Sequence, residues 1–310
     1  MVTLLNSAKS VWRLLFLWPL CLLAGCGAGP LPEAGGALPS PQPAGPATWS
    51  TEFASDEGRW DVIQRGNGRV SFGVADARAA DGLVATLLFA GDPSLGSADR
   101  VGPAFATEID TKQRFLYGKF RARLQLAACG PEEEVVNGFF TYFNDGSDAN
   151  GNGLRDNAEI DVEILCGMPS VISLSTWTDY QAQPERFLKW TRSVDLATGE
   201  YFESPSDHEY GQVLKGIRPE FRHPTFPEPE TFYEIGFEWR ADRLRFFIVI
   251  DGGELTLWDY ADTRYIPKRP AAWLFNVWHP RTHWFGGGGD ADYPSRDAVM
   301  RIDWARYWAE

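Results

Sequence analysis

The 310-residue chain carries 29 Lys and Arg against 42 Asp and Glu, a formal net charge of −13. Its 44% hydrophobic and 23% charged residues are close to globular averages, which excludes a disordered or collagen-like chain. The acidic balance argues against a nucleic-acid-binding protein, because neutralising phosphates needs clustered Lys and Arg. The 13 Trp, 20 Phe and 10 Tyr, beside 31 Gly and 21 Pro, favour an all-β protein with short strands.

Residues 1–25 have the pattern of a secretory signal. Lys9 and Arg13 precede an apolar run of about a dozen residues, too short to span roughly 30 Å of hydrocarbon as a helix. The run ends in small residues before Cys26, which resembles a bacterial lipoprotein signal whose Cys becomes the lipidated first residue. An ordinary signal peptide that ends near a Cys is the alternative. We therefore expect an exported protein, lipid-anchored through Cys26 in the outer membrane or at the cell surface or periplasm.

The mature chain divides into a tether and one domain. Residues 26–47 comprise Cys26 and a segment, 27–47, that is almost entirely Gly, Pro and Ala, a composition typical of a semi-extended linker. No second linker appears, so residues 48–310 are predicted to form a single, monomeric domain. Cys129 and Cys166 remain in it; export permits a disulfide, but two buried thiols fit the spacing equally well.

Period-2 alternation of apolar and polar residues is the main structural signal of this domain. The predicted strands are 118–126, 232–240, 246–251, 271–278 and 300–308. In the last of them, alternation places Trp304 on the same face as Met300 and Ile302. Gly-containing turn signals separate the strands, including a Gly run at 286–289, and no long helical periodicity appears. The pattern predicts an antiparallel sandwich or barrel.

The loop before one further strand resembles a calcium-binding sequence. From Asp148 to Glu159 it matches the EF-hand pattern position by position. The last position, Glu159, belongs to the strand that follows the loop, and no flanking helices are visible. We therefore expect no required cofactor and at most a structural Ca²⁺ held by Asp148, Asn150, Asn152 and Asp156. A polar surface loop is the alternative.

Three carboxylates occupy alternate positions of that strand. Glu159, Asp161 and Glu163 share one face, while the apolar residues between them face the other way. Like charges this close compete for protons, which raises at least one pKa.

Retaining glycoside hydrolysis requires a protonated carboxylic acid beside an ionised carboxylate, with carboxyl groups roughly 5–5.5 Å apart. The Cα atoms of Glu159 and Glu163 are about 13 Å apart, a gap that inward-leaning side chains can narrow. An acidic, solvent-exposed strand face is the alternative.

The same strand resembles the Glu-x-Asp-x-Glu signature of glycoside hydrolase family 16. It has the form without an inserted residue, as in bacterial lichenases and the xyloglucan-acting branch. Further segments resemble family motifs in the family's order: 115–123, 138–143, 232–239, 276–278, 284–286 and 303–308. Asp110, Arg121 and Tyr233 stand where the family usually has Arg, Glu and His.

This resemblance covers residues 50–308 and implies a fold and an activity. The fold is a concanavalin A-like β-jelly roll, with two antiparallel sheets and a concave substrate cleft. Glu159 is implied as nucleophile, Asp161 as its assisting carboxylate and Glu163 as general acid/base. The implied substrate is a polysaccharide, and β-1,3-1,4- or β-1,3-glucan is the main expectation. A transglycosylase or a xyloglucan- or galactan-active enzyme is an alternative, and a non-catalytic glycan-binding lipoprotein is a rival of another class.

Aromatic and polar residues supply candidate sugar contacts, because pyranose rings present apolar faces that stack on aromatic rings. The stacking candidates are Tyr142, Trp177, Trp278 and Trp284. Core burial is the alternative for these residues, and it is the prediction for Trp239 and Trp304. Ser175 and Asn276 are polar candidates on the same strand faces, and Glu108 resembles a glucose-binding Glu of the lichenases.

Overall fold

The computed structural model describes residues 45–95, 106–130, 133–182, 184–207, 209–210, 213–280, 282–284 and 291–310. The predicted signal peptide, Cys26, most of the linker and the Gly run at 286–289 lie outside these residues. The regular secondary structure of the described residues is strand, apart from 3₁₀ turns at Pro219–Phe221 and Thr263–Tyr265. Within the described ranges, no helix has the length and apolar character needed to cross a membrane.

Eighteen strands account for the described secondary structure. They are β1 (Trp49–Thr51), β2 (Trp60–Gln64), β3 (Arg69–Ala75), β4 (Leu83–Phe89), β5 (Ala106–Phe115), β6 (Gly118–Gln125), β7 (Val136–Tyr142), β8 (Asp156–Leu165), β9 (Val171–Ala182), β10 (Glu185–Asp195), β11 (Glu200–Asp207), β12 (Glu209–Tyr210), β13 (Leu214–Ile217), β14 (Tyr233–Trp239), β15 (Leu244–Ile250), β16 (Gly253–Tyr260), β17 (Ala271–Trp278) and β18 (Ala298–Trp308). The five strands predicted from alternation are β6, β14, β15, β17 and β18.

The strands form two antiparallel sheets. An eight-stranded sheet has the order β16-β15-β14-β6-β18-β4-β3, with β1 paired to β18. A ten-stranded sheet has the order β12-β11-β10-β9-β8-β7-β17-β5-β2, with β13 paired to β11. One large apolar cluster draws buried residues from both sheets, so the core lies between them. The predicted all-β, two-sheet jelly-roll class is confirmed.

Aromatic side chains fill the centre of this core. Phe120 of β6 stacks on Phe237 of β14 at 4.7 Å between ring centroids. From the other sheet, Phe139 of β7 contacts the Trp273 ring of β17 edge to face at 5.5 Å. Trp239 is fully buried, as predicted. Because both sheets are anchored on these rings, the outer face of the ten-stranded sheet is held rigidly for a site.

Strand β18 departs from the alternation that its sequence predicts. A β-bulge between Ile302 and Trp304 shifts the register, with Asp303 as the extra residue. Trp304 therefore lies on the face opposite Ile302, while Tyr307 enters the core. Trp304 is buried as predicted, but on the outer side, beneath the Arg306 guanidinium at 4.2 Å from its ring centroid. The prediction that it shares a face with Ile302 is wrong, because one inserted residue reverses the period-2 pattern.

Cys129 and Cys166 form a disulfide, with Cα atoms 5.4 Å apart. Cys129 follows β6 and Cys166 directly follows β8. The bond resolves the alternative that the sequence leaves open. It also ties down the end of the strand that carries the three carboxylates.

Candidate active site

The three carboxylates project from the outer face of β8, near the middle of the ten-stranded sheet. The intervening apolar residues are 0–2% exposed and belong to the core: Ile160, Val162 and Ile164. Glu159 and Glu163 are half-buried, and Asp161 between them is buried. The alternation in the sequence therefore corresponds to two distinct faces. Apolar packing on one face fixes the backbone that presents the carboxylates on the other.

Asp161 is the most firmly held of the three. Ser175 donates a 2.6 Å hydrogen bond from Oγ to Asp161 Oδ2, and the Trp177 indole Nε1 donates to the same oxygen at 3.2 Å. Both donors lie on β9, where Ser175 pairs directly with Asp161. Two hydrogen bonds on one oxygen favour its ionised form and fix its orientation. Ser175 and Trp177, predicted as sugar contacts, therefore bind the central carboxylate.

Glu159 has its own supporting amide. Asn157 donates from Nδ2 to Glu159 Oε2 at 2.7 Å, and Asn144 donates to the Asn157 Oδ1 at 3.3 Å. The two Asn side chains orient the carboxylate from its N-terminal side. Burial, and next the charge of Glu159, raise the pKa of the Tyr142 phenol, which places Tyr142 in the same electrostatic environment.

A single pocket of about 280 Å³ joins the carboxylates to three predicted substrate residues. It is lined by Ile63, Arg65, Ala106, Glu108, Phe140, Glu159, Asp161, Glu163, Asn276 and Trp278. Gly138 of β7 lies between Glu163 and Asn276 in the sheet register. A Cβ at Gly138 would approach Asn276 Oδ1 to 2.2 Å. Glycine is therefore required for the Asn276 side chain to lie across β7 beside Glu163.

The pKa values of the three carboxyls are all raised, first of all by burial. The pKa of Asp161 rises to about 6 and that of Glu163 to about 8, while that of Glu159 rises well above its ordinary value. The Asp161 charge is the next cause for both glutamates. Like charges on one strand cannot all ionise near neutral pH, so the site retains at least one proton. This is the charge state that sequence reasoning predicts.

Lys189 is a site residue that sequence reasoning misses. It lies on β10, where it pairs with Trp177 of β9, which pairs in turn with Glu159. Its charge lowers the pKa of all three carboxyls. No strand is predicted over this segment, because the adjacent apolar residues Phe187 and Leu188 interrupt the alternation. Only the strand register places Lys189 beside the carboxylates.

Trp278 and Trp284 form one wall beside the pocket. Their rings meet edge to face at 5.1 Å between centroids, and both are half-buried. Glu134, a second residue that sequence reasoning misses, accepts hydrogen bonds from the Trp284 backbone N–H at 3.0 Å and from His283 Nδ1 at 2.7 Å. Buried Glu134 therefore fixes the position of Trp284.

Glu108 forms a second acidic pair in the same pocket. Its Oε2 accepts from Asn276 Nδ2 at 2.9 Å. Asp110, two residues along β5, has its pKa raised to about 7, first by burial and then by the charges of Glu108 and Asp61. Asp110 stands where the motif that the sequence resembles usually has Arg, but Arg65 lines this end of the pocket and its positive charge opposes the rise that burial causes in the pKa of Glu108.

Of the predicted calcium ligands, three lie in the loop before β8 and the fourth is the first residue of β8. They are Asp148, Asn150, Asn152 and Asp156. The Asp148 carboxylate accepts backbone N–H bonds from Asn152 at 3.1 Å and Gly153 at 2.9 Å. Asp156 pairs with Arg269 at 3.0 Å. Within the described part of the chain, no three His, Cys, Asp or Glu side chains are grouped to hold a metal. Calcium binding by this mixed Asp and Asn set remains a prediction.

Comparison with known proteins gives structural likeness at low identity. No protein-family model matches the chain, and no curated protein matches it. The β-glucanase of Bacillus licheniformis aligns with a TM-score of 0.49 at 15% identity, over 86% of this chain and 100% of that chain. A prokaryotic β-1,3-1,4-glucanase (lichenase) from a mouse hindgut metagenome aligns with a TM-score of 0.48 at 19% identity, over 84% and 99% of the two chains. Crh5 transglycosylase in complex with NAG aligns with a TM-score of 0.47 at 16% identity, over 84% and 83%. At such identities, function has to be inferred from the residues of the site itself.

Proposed function

We propose that the protein is a retaining endo-glycosidase that hydrolyses a β-glucan-type polysaccharide, β-1,3-1,4- or β-1,3-glucan, through a covalent glycosyl-enzyme. The supporting observation is the row of Glu159, Asp161 and Glu163 on one outward strand face, with raised pKa values, inside a pocket that Trp278 also lines. An acidic surface face would leave these side chains solvated and ionised. Here Asp161 is buried and accepts two hydrogen bonds, which is typical of a carboxylate in a functional site.

The proposed reaction has two steps. In the first, ionised Glu159 attacks the anomeric carbon while Glu163 gives its proton to the departing glycosidic oxygen. A glycosyl ester on Glu159 forms as the glycosidic bond breaks. In the second, Glu163 takes a proton from water, which attacks the anomeric carbon and releases Glu159. A sugar hydroxyl in place of that water would give transglycosylation.

Local contacts support these roles. Burial and the Asp161 charge raise the pKa of Glu159 as well, and the Asn157 amide opposes this rise by donating to the carboxylate, which favours the ionised form that a nucleophile needs. The pKa of Glu163, about 8, keeps its proton at neutral pH, as a general acid needs. Asp161 lies between Glu159 and Glu163, and the hydrogen bond from Ser175 of β9 fixes its carboxylate beside them. In the proposed reaction its negative charge is therefore held close to the anomeric carbon.

The direct test is reducing-sugar release from mixed-linkage β-glucan, laminarin, xyloglucan and agarose. We expect release from at least one of the two glucans by the wild-type protein and none by Glu159→Ala. The matched control is Glu220→Gln, which changes an exposed carboxylate remote from β8. Absence of turnover on all four polymers, with glycan binding retained by Glu159→Gln, would instead establish a binding protein. Products longer than the donor would establish a transglycosylase.

The roles of the two glutamates can be separated with azide. In Glu159→Gly, azide should attack the anomeric carbon directly and give a product of inverted configuration. In Glu163→Gly, azide should attack the glycosyl-enzyme and give a product of retained configuration. The same product from both variants would contradict the assignment.

We also propose that the domain acts from a membrane surface, tethered by lipid at Cys26 through the linker of residues 26–47. This proposal rests on the sequence pattern alone. Metabolic labelling with a fatty acid should modify the wild-type protein and not Cys26→Ser. Equal labelling of both would contradict the anchor.

A further inference from the structure

A cation, an indole and a carboxylate lie in line across three neighbouring strands. Lys189 of β10 pairs with Trp177 of β9, and Trp177 pairs with Glu159 of β8. The Lys189 Nζ stands 3.9 Å from the centroid of the Trp177 ring. The same indole donates from Nε1 to Asp161 Oδ2 at 3.2 Å. Trp177 therefore contacts the ammonium with its face and the carboxylate with its edge.

The ammonium acts on the carboxylates without touching them. Among the described residues, no ion pair of 4.0 Å or less joins Lys189 to an acidic side chain. A half-buried lysine without a direct counter-ion pays a desolvation cost, and burial indeed lowers the pKa of Lys189. The ring contact offsets part of that cost, since cations are attracted to the indole face.

Two further rings restrict Trp177. Tyr180 meets it edge to face at 5.8 Å between centroids, and Phe187 does so at 5.6 Å. With one indole face under Lys189 and its edges packed, the ring keeps the orientation that points Nε1 at Asp161. A sugar stacking on the face that Lys189 covers would have to displace the ammonium, so Trp177 is better suited to support the carboxylate than to serve as a platform there.

We propose that Lys189 is a positioning residue of the carboxylate site, which holds the Trp177 indole against Asp161 and supplies the positive charge that keeps Asp161 ionised. The proposal rests on the proposed glycosidase function for its catalytic consequence. Its structural part, the Lys189–Trp177–Asp161 link, does not depend on that function.

The charged and titratable groups around Lys189 set the direction of the effect. From β8 it faces Glu159, Asp161 and Glu163, whose charges raise its pKa against the larger effect of burial. On β9 the titratable residues next in the register are Asp179 and Tyr180, and on β11 Lys189 pairs with Ser206, which precedes Asp207. Loss of the ammonium would thus raise the pKa of all three carboxyls together.

The structural part can be tested without any substrate. The purified full-length protein, labelled with ¹³C at Asp side-chain carboxyls, is titrated by NMR as wild type, Lys189→Met and Lys189→Arg. We expect the Asp161 transition to move to higher pH by about 1 unit in Lys189→Met, and to stay near the wild-type value in Lys189→Arg, which keeps the charge. The Trp177 indole N–H should exchange with solvent about tenfold faster in Lys189→Met, because its hydrogen bond is no longer held.

The catalytic part is tested by the pH profile of kcat/KM on the glucan that the wild type cleaves best. Both limbs should move to higher pH in Lys189→Met and not in Lys189→Arg. Thermal unfolding checks that the variants fold; if Lys189→Met does not, Lys189→Gln replaces it. An unchanged Asp161 titration, or equal shifts in the Met and Arg variants, would overturn the proposal. Inactivity of the wild type would refute the proposed function and leave the NMR result to stand alone.

Discussion

The outer faces of the two sheets each carry a cluster of poorly exposed charged side chains. The two clusters differ in whether each charge has a neighbour of opposite sign. On the ten-stranded sheet, three carboxylates stand in a row on β8 and repel one another. On the eight-stranded sheet, cations and carboxylates alternate across β6, β14, β15 and β16. We call this second group the paired cluster; its members are Lys119, Arg121, Glu234, Glu238, Arg245 and Glu254.

In the paired cluster each charge meets an opposite one. Glu254 contacts Lys119 at 2.5 Å, Arg245 at 3.2 Å and Arg121 at 3.6 Å. Arg121 also pairs with Glu234. Such an arrangement compensates for the removal of charges from water. The carboxylates of Glu234 and Glu254 thus compensate the charge of Arg121, which is itself poorly exposed.

One glutamate from each cluster has its pKa shifted, and the two shifts have opposite directions. Although burial opposes the change, hydrogen bonds and charges from Arg240 and Arg245 lower the pKa of Glu238. Burial and the Asp161 charge instead raise the pKa of Glu163. Glu238, paired with cations, favours its ionised form, whereas Glu163, beside like charges, favours a proton that chemistry can use. The comparison predicts that substitutions in the two clusters affect different properties.

The largest expected effect is on catalysis, at the unpaired cluster. Glu163→Gln should lower kcat by about 10²–10⁴-fold, because the amide cannot donate a proton to the leaving oxygen. The same substitution should leave the free energy of unfolding at pH 8 unchanged or higher, since it removes like-charge repulsion. Initial rates and urea denaturation measure the two quantities. A large loss of stability would show that Glu163 is structural.

The next largest effect is on stability, at the paired cluster. Glu254→Ala should lower the free energy of unfolding by about 3 kcal/mol, because it leaves buried cations without their carboxylate. Activity per folded molecule should remain near that of the wild type. The matched control is Glu220→Ala, whose pair with Arg218 is exposed and should contribute less than about 1 kcal/mol. Equal effects in both variants would remove the distinction between buried and exposed pairs.

Sequence reasoning reaches the fold and the acidic strand because both depend on local alternation. The period-2 pattern identifies β6, β14 and β17, and it places Glu159, Asp161 and Glu163 on one face. The same rule fails at Asp303, because an inserted bulge residue reverses the faces without leaving a signal in the local composition.

What the sequence cannot supply is the pairing of distant strands. Lys189 and Glu134 enter the site only through register and loop contacts with residues far away in the chain. Trp177 shows the same limit: its aromatic character predicts a sugar contact, which stays a prediction, but its residue type gives no sign of the contacts with Lys189 and Asp161 that the register brings about. A residue type indicates what a side chain can do, and the register determines which of those contacts it makes.

A smaller effect should appear in the pH dependence of stability. The pKa of Glu163 is about 8 in the folded protein against 4.5 for a free carboxyl, so the folded state binds a proton that the unfolded state releases in this interval. Stability should therefore fall as pH rises from about 5 to 8. Urea denaturation at pH 5 and pH 8 measures this loss, and Glu163→Gln should reduce it. A stability that rises over this range would contradict the raised pKa values.

The smallest expected effect is that of calcium on the free energy of unfolding, and it concerns Asp148, whose carboxylate accepts hydrogen bonds from backbone amides. The Asp148 oxygens accept backbone N–H groups within the loop before β8, a geometry that also suits a loop wrapped around calcium. If the loop binds calcium, millimolar Ca²⁺ should raise the free energy of unfolding over EDTA by about 1 kcal/mol. Asp148→Ala should abolish that increment. Asp56→Ala, which removes a similar carboxylate–amide contact elsewhere, should retain it. Equal stability of the wild type in EDTA and in calcium would mean that backbone amides alone satisfy Asp148, and that this carboxylate needs no metal to be held next to β8.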